Sequence, residues 1–266
     1  KTAYEIGVRL VGSEMCIRDR ALAMQKACRA VGGILKQQAE ERANKAKHII
    51  NQLQSSPAID SKELASAQKS LALAEEEKLL TVDIGIGIYT DVVCVGNMGS
   101  DQRFDYSILG DGVNLASRLE GQSKTYGIAI IIGENTQEQV SEFALIEIDL
   151  IQVKGQTRPT RIYGVLGDEE EAQTSEFLHY AEQHREFLLA YRAQKWNEAE
   201  ELSKICKKLA IPWKAAGLYD CMRERIVEFR AQSPADNNGE WDGVYVCLLY
   251  TSDAADEGLG VALGGR

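Results

Sequence analysis

The spacing of apolar positions changes several times along the chain and divides it into stretches. From Ala21 to about Leu53, Met24, Ala27, Val31, Ile34 and Leu35 form an apolar stripe in a background of Ala, Gln, Lys and Glu, all good helix formers. Gly32 and Gly33 interrupt the stripe, and Ser55, Ser56 and Pro57 end it. A second helix is predicted over Ser61–Leu80, with Leu64, Ala67, Leu71 and Ala74 at helical spacing. Neither stretch sustains a heptad.

At Thr81 the period drops to two. Val82, Ile84, Ile86 and Ile88 alternate with Asp83, Gly85, Gly87 and Tyr89, which predicts a strand with small residues on one face. Glycines inside a strand mark a close backbone approach. Val92–Met98 is a second β-prone run, near enough to pair with the first as a hairpin. A strand is expected at Ile128–Ile132, a short helix at Glu134–Val140, and two further strands at Phe143–Val153 and Arg161–Leu166. Strands alternating with helices give a mixed α/β (α+β) fold class. Asp168–Glu171 is an acidic linker or helix start. From Thr174 to about Gln232 the helical period returns in three groups, Phe177–Tyr191, Trp196–Ile205 and Leu218–Phe229, the last two separated by Pro212. These helices read as an appendage whose aromatics belong to a core rather than to a ligand site.

The stretch that carries candidate chemistry is Arg103–Glu120, RFDYSILGDGVNLASRLE. A β-prone piece runs through the turn Gly110–Gly112 into a helix on which Asn114 and Arg118, four apart, share one face. An amide and a guanidinium near a helix N-terminus, with its partial positive charge, suit an anionic ligand. Spacing alone equally allows a cap and a surface ion pair.

Composition narrows the partners. The 266 residues carry a formal net charge of -10, which argues against a nucleic-acid backbone but not against a nucleotide in a locally basic pocket. No apolar run reaches the ~20 residues of a membrane span, and no signal-peptide pattern is present. The six cysteines lack metal-binding spacing, which places the chain in a reducing cytoplasmic compartment. Cys28, Cys206 and Cys221 fall in helical patterns and read as packing residues. His48, His179 and His184 have no metal-ligand partners at useful spacing and read as solvated or packed.

The two ends stand apart from this pattern. Met15–Asp19 can be encoded by ATG TGT ATA AGA GAC, and the reverse complement of that segment, extended by the first base of Arg20, reads in frame as Cys247–Thr251. One DNA segment in opposite orientations can therefore encode both; the alternative is a natural N-terminal arm and a flexible Gly-rich tail. The longer runs Leu10–Asp19 and Cys247–Asp256 resemble translated sequencing adapters. The expected division is residues 1–20 as non-native read-through, 21–167 as a partial α/β domain, 168–245 as the helical appendage, and 246–266 as read-through again.

GIGIYT, VGNMGS, DYSILGDGVNLASRLEG and VKGQTRP stand in an order and spacing that resemble the C-terminal half of a class III adenylate/guanylate cyclase catalytic domain, most like the bacterial adenylate cyclases. The resemblance covers about Thr81–Gly167 and implies a ferredoxin-like domain, here incomplete. It implies that the 3'-hydroxyl of ATP attacks the α-phosphate, giving cyclic AMP and pyrophosphate. Arg118 matches the family's transition-state arginine, whose fixed fork of donors suits charge building on phosphorus-bound oxygens. Asn114 matches the asparagine that orients the ribose, and Lys154 the lysine on the triphosphate. Ser107 stands where many members read the adenine with Asp and a subgroup has Thr; its hydroxyl donates and accepts, so it selects adenine weakly. Asp111 is expected to hold the turn. Asp91 departs from the family's usual Gly and puts the local hairpin geometry in question.

The family's two metal-binding aspartates and its purine-contacting lysine have no match between Ala21 and Leu80. Two ions, Mg or Mn, are therefore expected in the complete domain but find no ligands in this chain. The expected partners are ATP and a second cyclase domain in a homodimer, with no nucleic acid; the membrane is reached only through a missing upstream part. The first reading is a fragment of an adenylate cyclase, inactive alone. The alternative is a non-catalytic cyclase-like regulatory or dimerisation module. A third reading is an unrelated nucleotide-binding protein.

Overall fold

The computed structural model describes residues 14–55, 61–79, 83–100, 103–153, 158–234 and 241–247. Two units divide these residues, 20–84 and 85 onward, the second including the start of the chain.

The first unit is built from helix α1 (Glu14–Gln54), from residue 20 onward, and helix α2 (Ser61–Leu79). Both were expected, and α1 runs through Gly32 and Gly33, so the surrounding strong helix formers outweigh the cost of two glycines. Ala21, Leu22, Ala39, Ala43, Ala46, Ala67 and Ala74 are its buried apolar residues, while Val31, Ile34 and Leu35 are exposed. Ion pairs Arg42–Glu77 (2.7 Å) and Lys47–Glu75 (3.0 Å) link the two helices.

The second unit holds a five-stranded sheet of β1 (Ile86–Ile88), β4 (Ile130–Gly133), β6 (Thr160–Gly167), β5 (Ala144–Val153) and β7 (Val244–Cys247), in that spatial order. β1 runs parallel to β4 and β5 parallel to β7, while β6 is antiparallel to both its neighbours. β2 (Cys94–Ser100) and β3 (Arg103–Leu109) form a separate antiparallel pair. The hairpin expected between the first two β-prone runs is therefore corrected. β2 pairs with the strand after it, in a register that opposes Ser100 to Arg103. β1 is left to pair with β4, which a crossover through a helix brings alongside in parallel.

That helix is α3 (Asp111–Tyr126). Leu115, Leu119 and Tyr126 face the core, and Gly127 ends the helix in the left-handed conformation (φ 65°) with its N–H on the Ser123 carbonyl. The expected close approach at the strand glycines is found here. A Cβ on Gly87 would lie 2.1 Å from the carbonyl oxygen of Ala116 and 2.4 Å from the nitrogen of Glu120; one on Gly85 would lie 2.1 Å from the Ser123 hydroxyl.

After the short helix α4 (Glu134–Gln137) and strands β5 and β6, Asp168 caps the short helix α5 (Glu169–Ala172) by accepting from the Glu171 N–H. Helices α6 (Ser175–Arg192), α7 (Trp196–Leu209) and α8 (Ala216–Ala231) follow at the expected positions. They share one core with the sheet: Phe177, Tyr180, Phe187, Leu218 and Met222 join Ile146, Ile148, Ile151 and Ile162. His184 is packed, as expected, its Nε2 2.5 Å from the Glu147 carbonyl oxygen and its Nδ1 2.8 Å from the Tyr219 hydroxyl. The carbonyl only accepts, so Nε2 carries the proton. Cys206 is buried and burial pushes its thiol up to about 11. The aromatics Tyr191, Trp196 and Phe229 pack with one another and with Trp241, in agreement with their reading as core.

Candidate nucleotide site on helix α3

The site is assembled where β3 hands over to α3. β3 ends at Leu109 and Gly110 turns the chain, its extended φ of 161° carrying it directly into the helix. Gly112 in the first turn is buried against Asp91: a Cβ there would lie 2.5 Å from the Asp91 Cβ. Asp91 follows β1 and itself accepts from the Val92 N–H at 2.8 Å. The departure from the family's glycine thus places a carboxylate-bearing side chain beside the first turn of α3.

Asn114 and Arg118 lie in the first two turns of α3, on the flank beside the buried Leu115 and Leu119. Asn114 is exposed and Arg118 half-buried. The structure brings these two together on one helix as the sequence predicts. Ser107 is buried on β3, two residues before the strand's end. Lys154 lies outside the described residues. Asp111 is exposed in the first turn, where the helix dipole favours its charge.

The residues after β1 are fastened to α4. Thr90 and Thr136 hydroxyls are 3.0 Å apart, and the Asn135 amide donates to the Thr90 carbonyl at 3.2 Å. Burial, with Asp91 and Glu134 nearby, raises the Tyr89 phenol above its usual range.

No group of three or more His, Cys, Asp or Glu side chains among the described residues is arranged to hold a metal ion. The donor set at the start of α3, Asp91 and Asp111 together with an amide and a guanidinium, does not fit a pair of divalent ions. No helix among the described residues is long and apolar enough to cross a membrane.

Three residues that bear on the site carried no expectation from the sequence. At the far end of α3 the Tyr126 hydroxyl donates to Asp149 on β5 at 2.7 Å and accepts from Arg225 on α8 at 3.0 Å, and Arg225 also pairs with Asp149. All three are buried. A legible signal existed for Arg225, which interrupts the apolar stripe Leu218, Met222, Ile226 of its helix. For Asp149 none did. A register shift between Glu147 and Asp149 changes the phase of burial along β5, so that Ile148 and Asp149 are both buried.

Residues 21–167, more than half of the chain, match the family model of the adenylate and guanylate cyclase catalytic domain. The chain belongs to this family. It is 40% identical over 88 residues to an adenylate cyclase of Anabaena cylindrica, a match covering 32% of this chain and 18% of that protein. It is 29% identical over 133 residues to the terminal-differentiation specific adenylate cyclase of Dictyostelium discoideum, covering 48% of this chain and 6% of that one. The matched part thus spans less than a fifth of either relative's length. A solved bacterial light-regulated adenylyl cyclase matches at 18% identity with a TM-score of 0.28, covering 52% of this chain and 83% of that one, too loose a superposition to transfer geometry.

Proposed function

We propose that residues 21–167 are part of the catalytic domain of an adenylate cyclase that converts ATP to cyclic AMP and pyrophosphate. The observation that carries this reading is the pairing of Asn114 with Arg118 in the first two turns of α3, in a chain of the cyclase family. Arg118 stabilises the charge that develops on the phosphorus-bound oxygens as the 3'-hydroxyl attacks. Asn114 holds the ribose so that the attack is in line. Lys154 contacts the triphosphate. Ser107 meets the purine with a hydroxyl, which accepts adenine without strongly excluding guanine. The protein acts in the cytoplasm as a homodimer, and Mg or Mn is held by residues outside this chain.

The test is the complete enzyme, recovered with its upstream coding sequence and assayed for cyclic AMP. Arg118→Ala is expected to lower turnover by about 100-fold or more while leaving the melting temperature within about 2 °C. An unchanged rate removes Arg118 from the mechanism.

The lack of a metal donor set among the described residues favours a second reading, a cyclase-like module that pairs with a catalytic domain without turning over ATP itself. The upstream gene separates the two. An Asp-bearing strand in an uninterrupted reading frame supports the enzyme; a start codon near Ala21 supports the module.

A further inference from the structure

Helix α3 is held along its middle and at its end, by different partners. Midway along it, a Cβ on Gly87 of β1 would strike the backbone at Ala116 and Glu120, and one on Gly85 would strike the Ser123 side chain. At its end, the backbone again meets backbone: a Cβ on Gly127 would lie 3.2 Å from the Cα of Gly217, in the first turn of α8. One residue before that contact stands Tyr126, fully buried, with its hydroxyl between Asp149 and Arg225. The Arg225 guanidinium is fixed in turn. It pairs with Asp149, and it lies 5.1 Å from the Tyr126 ring centre and 3.4 Å from that of Tyr245 on β7.

This arrangement is directional. A carboxylate accepts only and a guanidinium donates only, so a hydroxyl that donates to one and accepts from the other has a single orientation that satisfies both. Bonds to charged partners away from water are strong and poorly replaced. Tyr126 is therefore held in rotation and along the helix axis. Arg118 is eight residues earlier, about 12 Å along a rigid helix. A shift or rotation of the helix at Tyr126 is carried to Arg118, because an α-helix transmits axial displacement without absorbing it.

We propose that Tyr126, Asp149 and Arg225 form a positioning clamp by which the C-terminal helices set the placement of Asn114 and Arg118. Arg225 and Tyr126 are positioning residues, distant from the reacting atoms. The inference about catalysis rests on the cyclase reading above; the inference about the helix does not.

Tyr126→Phe is the discriminating variant, because it removes the hydroxyl and leaves the ring and the Asp149–Arg225 pair. The first measurement is hydrogen exchange on the 266-residue chain. Amides of residues 112–119 are expected to exchange several-fold faster, with residues 130–133 and 177–191 unchanged. The second is steady-state kinetics of the complete enzyme, where turnover is expected to fall about tenfold with KM for ATP within about twofold. Arg225→Lys, which keeps the charge and loses the fork, is expected to give the same pattern.

Exchange that rises across the whole unit, or that does not rise at 112–119, overturns the clamp. So does normal turnover in a complete enzyme whose helix has loosened. If the complete wild-type protein makes no cyclic AMP while residues 112–119 respond as expected, the cyclase reading falls and the clamp on α3 stands.

Discussion

At the scale of single residues, the buried side chains outside the site explain more than their apolar surroundings suggest. His184 is enclosed between Tyr219 and the Glu147 carbonyl, and burial lowers its imidazole to about 4 from an ordinary 6.5. The unfolded chain binds a proton there at a higher pH than the folded one. Stability is therefore fully present above pH ~6.5 and is lost as the pH falls towards 4, by about 3 kcal/mol at most from this residue. Thermal melts across that window are expected to show the fall. His184→Gln, which keeps a donor and an acceptor but does not ionise, is expected to flatten it; an unchanged slope excludes His184 as the source.

At the scale of elements, α3 owes its place to what its neighbours lack. Gly87 has no room for a methyl group, since the atoms it would strike belong to the α3 backbone and do not swing aside. Gly87→Ala is expected to push the helix from the sheet and destabilise the unit by roughly 2 kcal/mol, lowering the melting temperature by about 4–8 °C. A thermal melt checks this, and an unshifted transition means that the strand and helix are not in contact. The alternation Val82–Ile88 pointed to this approach, because glycines on one face of a strand have few other uses. The helix itself was equally legible, with its Gly110–Gly112 entry and its stripe of Leu115 and Leu119. The pairing of strands was not. Periodicity identifies β2 as extended but does not say whether its partner precedes or follows it, and the structure selects the later one, Arg103–Leu109.

At the scale of the whole molecule, the proposed function makes the fold one side of a phosphoryl-transfer site. The described residues offer an arginine and an asparagine on α3 but no cluster of carboxylates for a metal. Charge on a triphosphate in such reactions is neutralised by metal ions, so the 266-residue chain alone is expected to form no cyclic AMP from ATP. The assay is run with Mn, and measurable activity from the pure chain refutes the expectation. The division of the chain at residues 20 and 246 is likewise a proposal, tested by resequencing the locus with a different library chemistry. Recovery of the same codons from the genome sinks it.

The sequence by itself determined the elements from α1 to α8, the cyclase-like motifs and the i, i+4 placement of Asn114 and Arg118, because each depends on residues within a few positions of one another. Helical spacing, a glycine turn and an i, i+4 pair are local facts. Only the tertiary structure decided what α3 leans on. Tyr126, Asp149 and Arg225 are separated by 23 and 76 residues along the chain, and they meet because β5 shifts its register at Asp149 and α8 packs against the end of α3. No local pattern encodes such a meeting: it follows from the shared core, which brings a carboxylate, a phenol and a guanidinium to one place out of water, where each needs the others as partners.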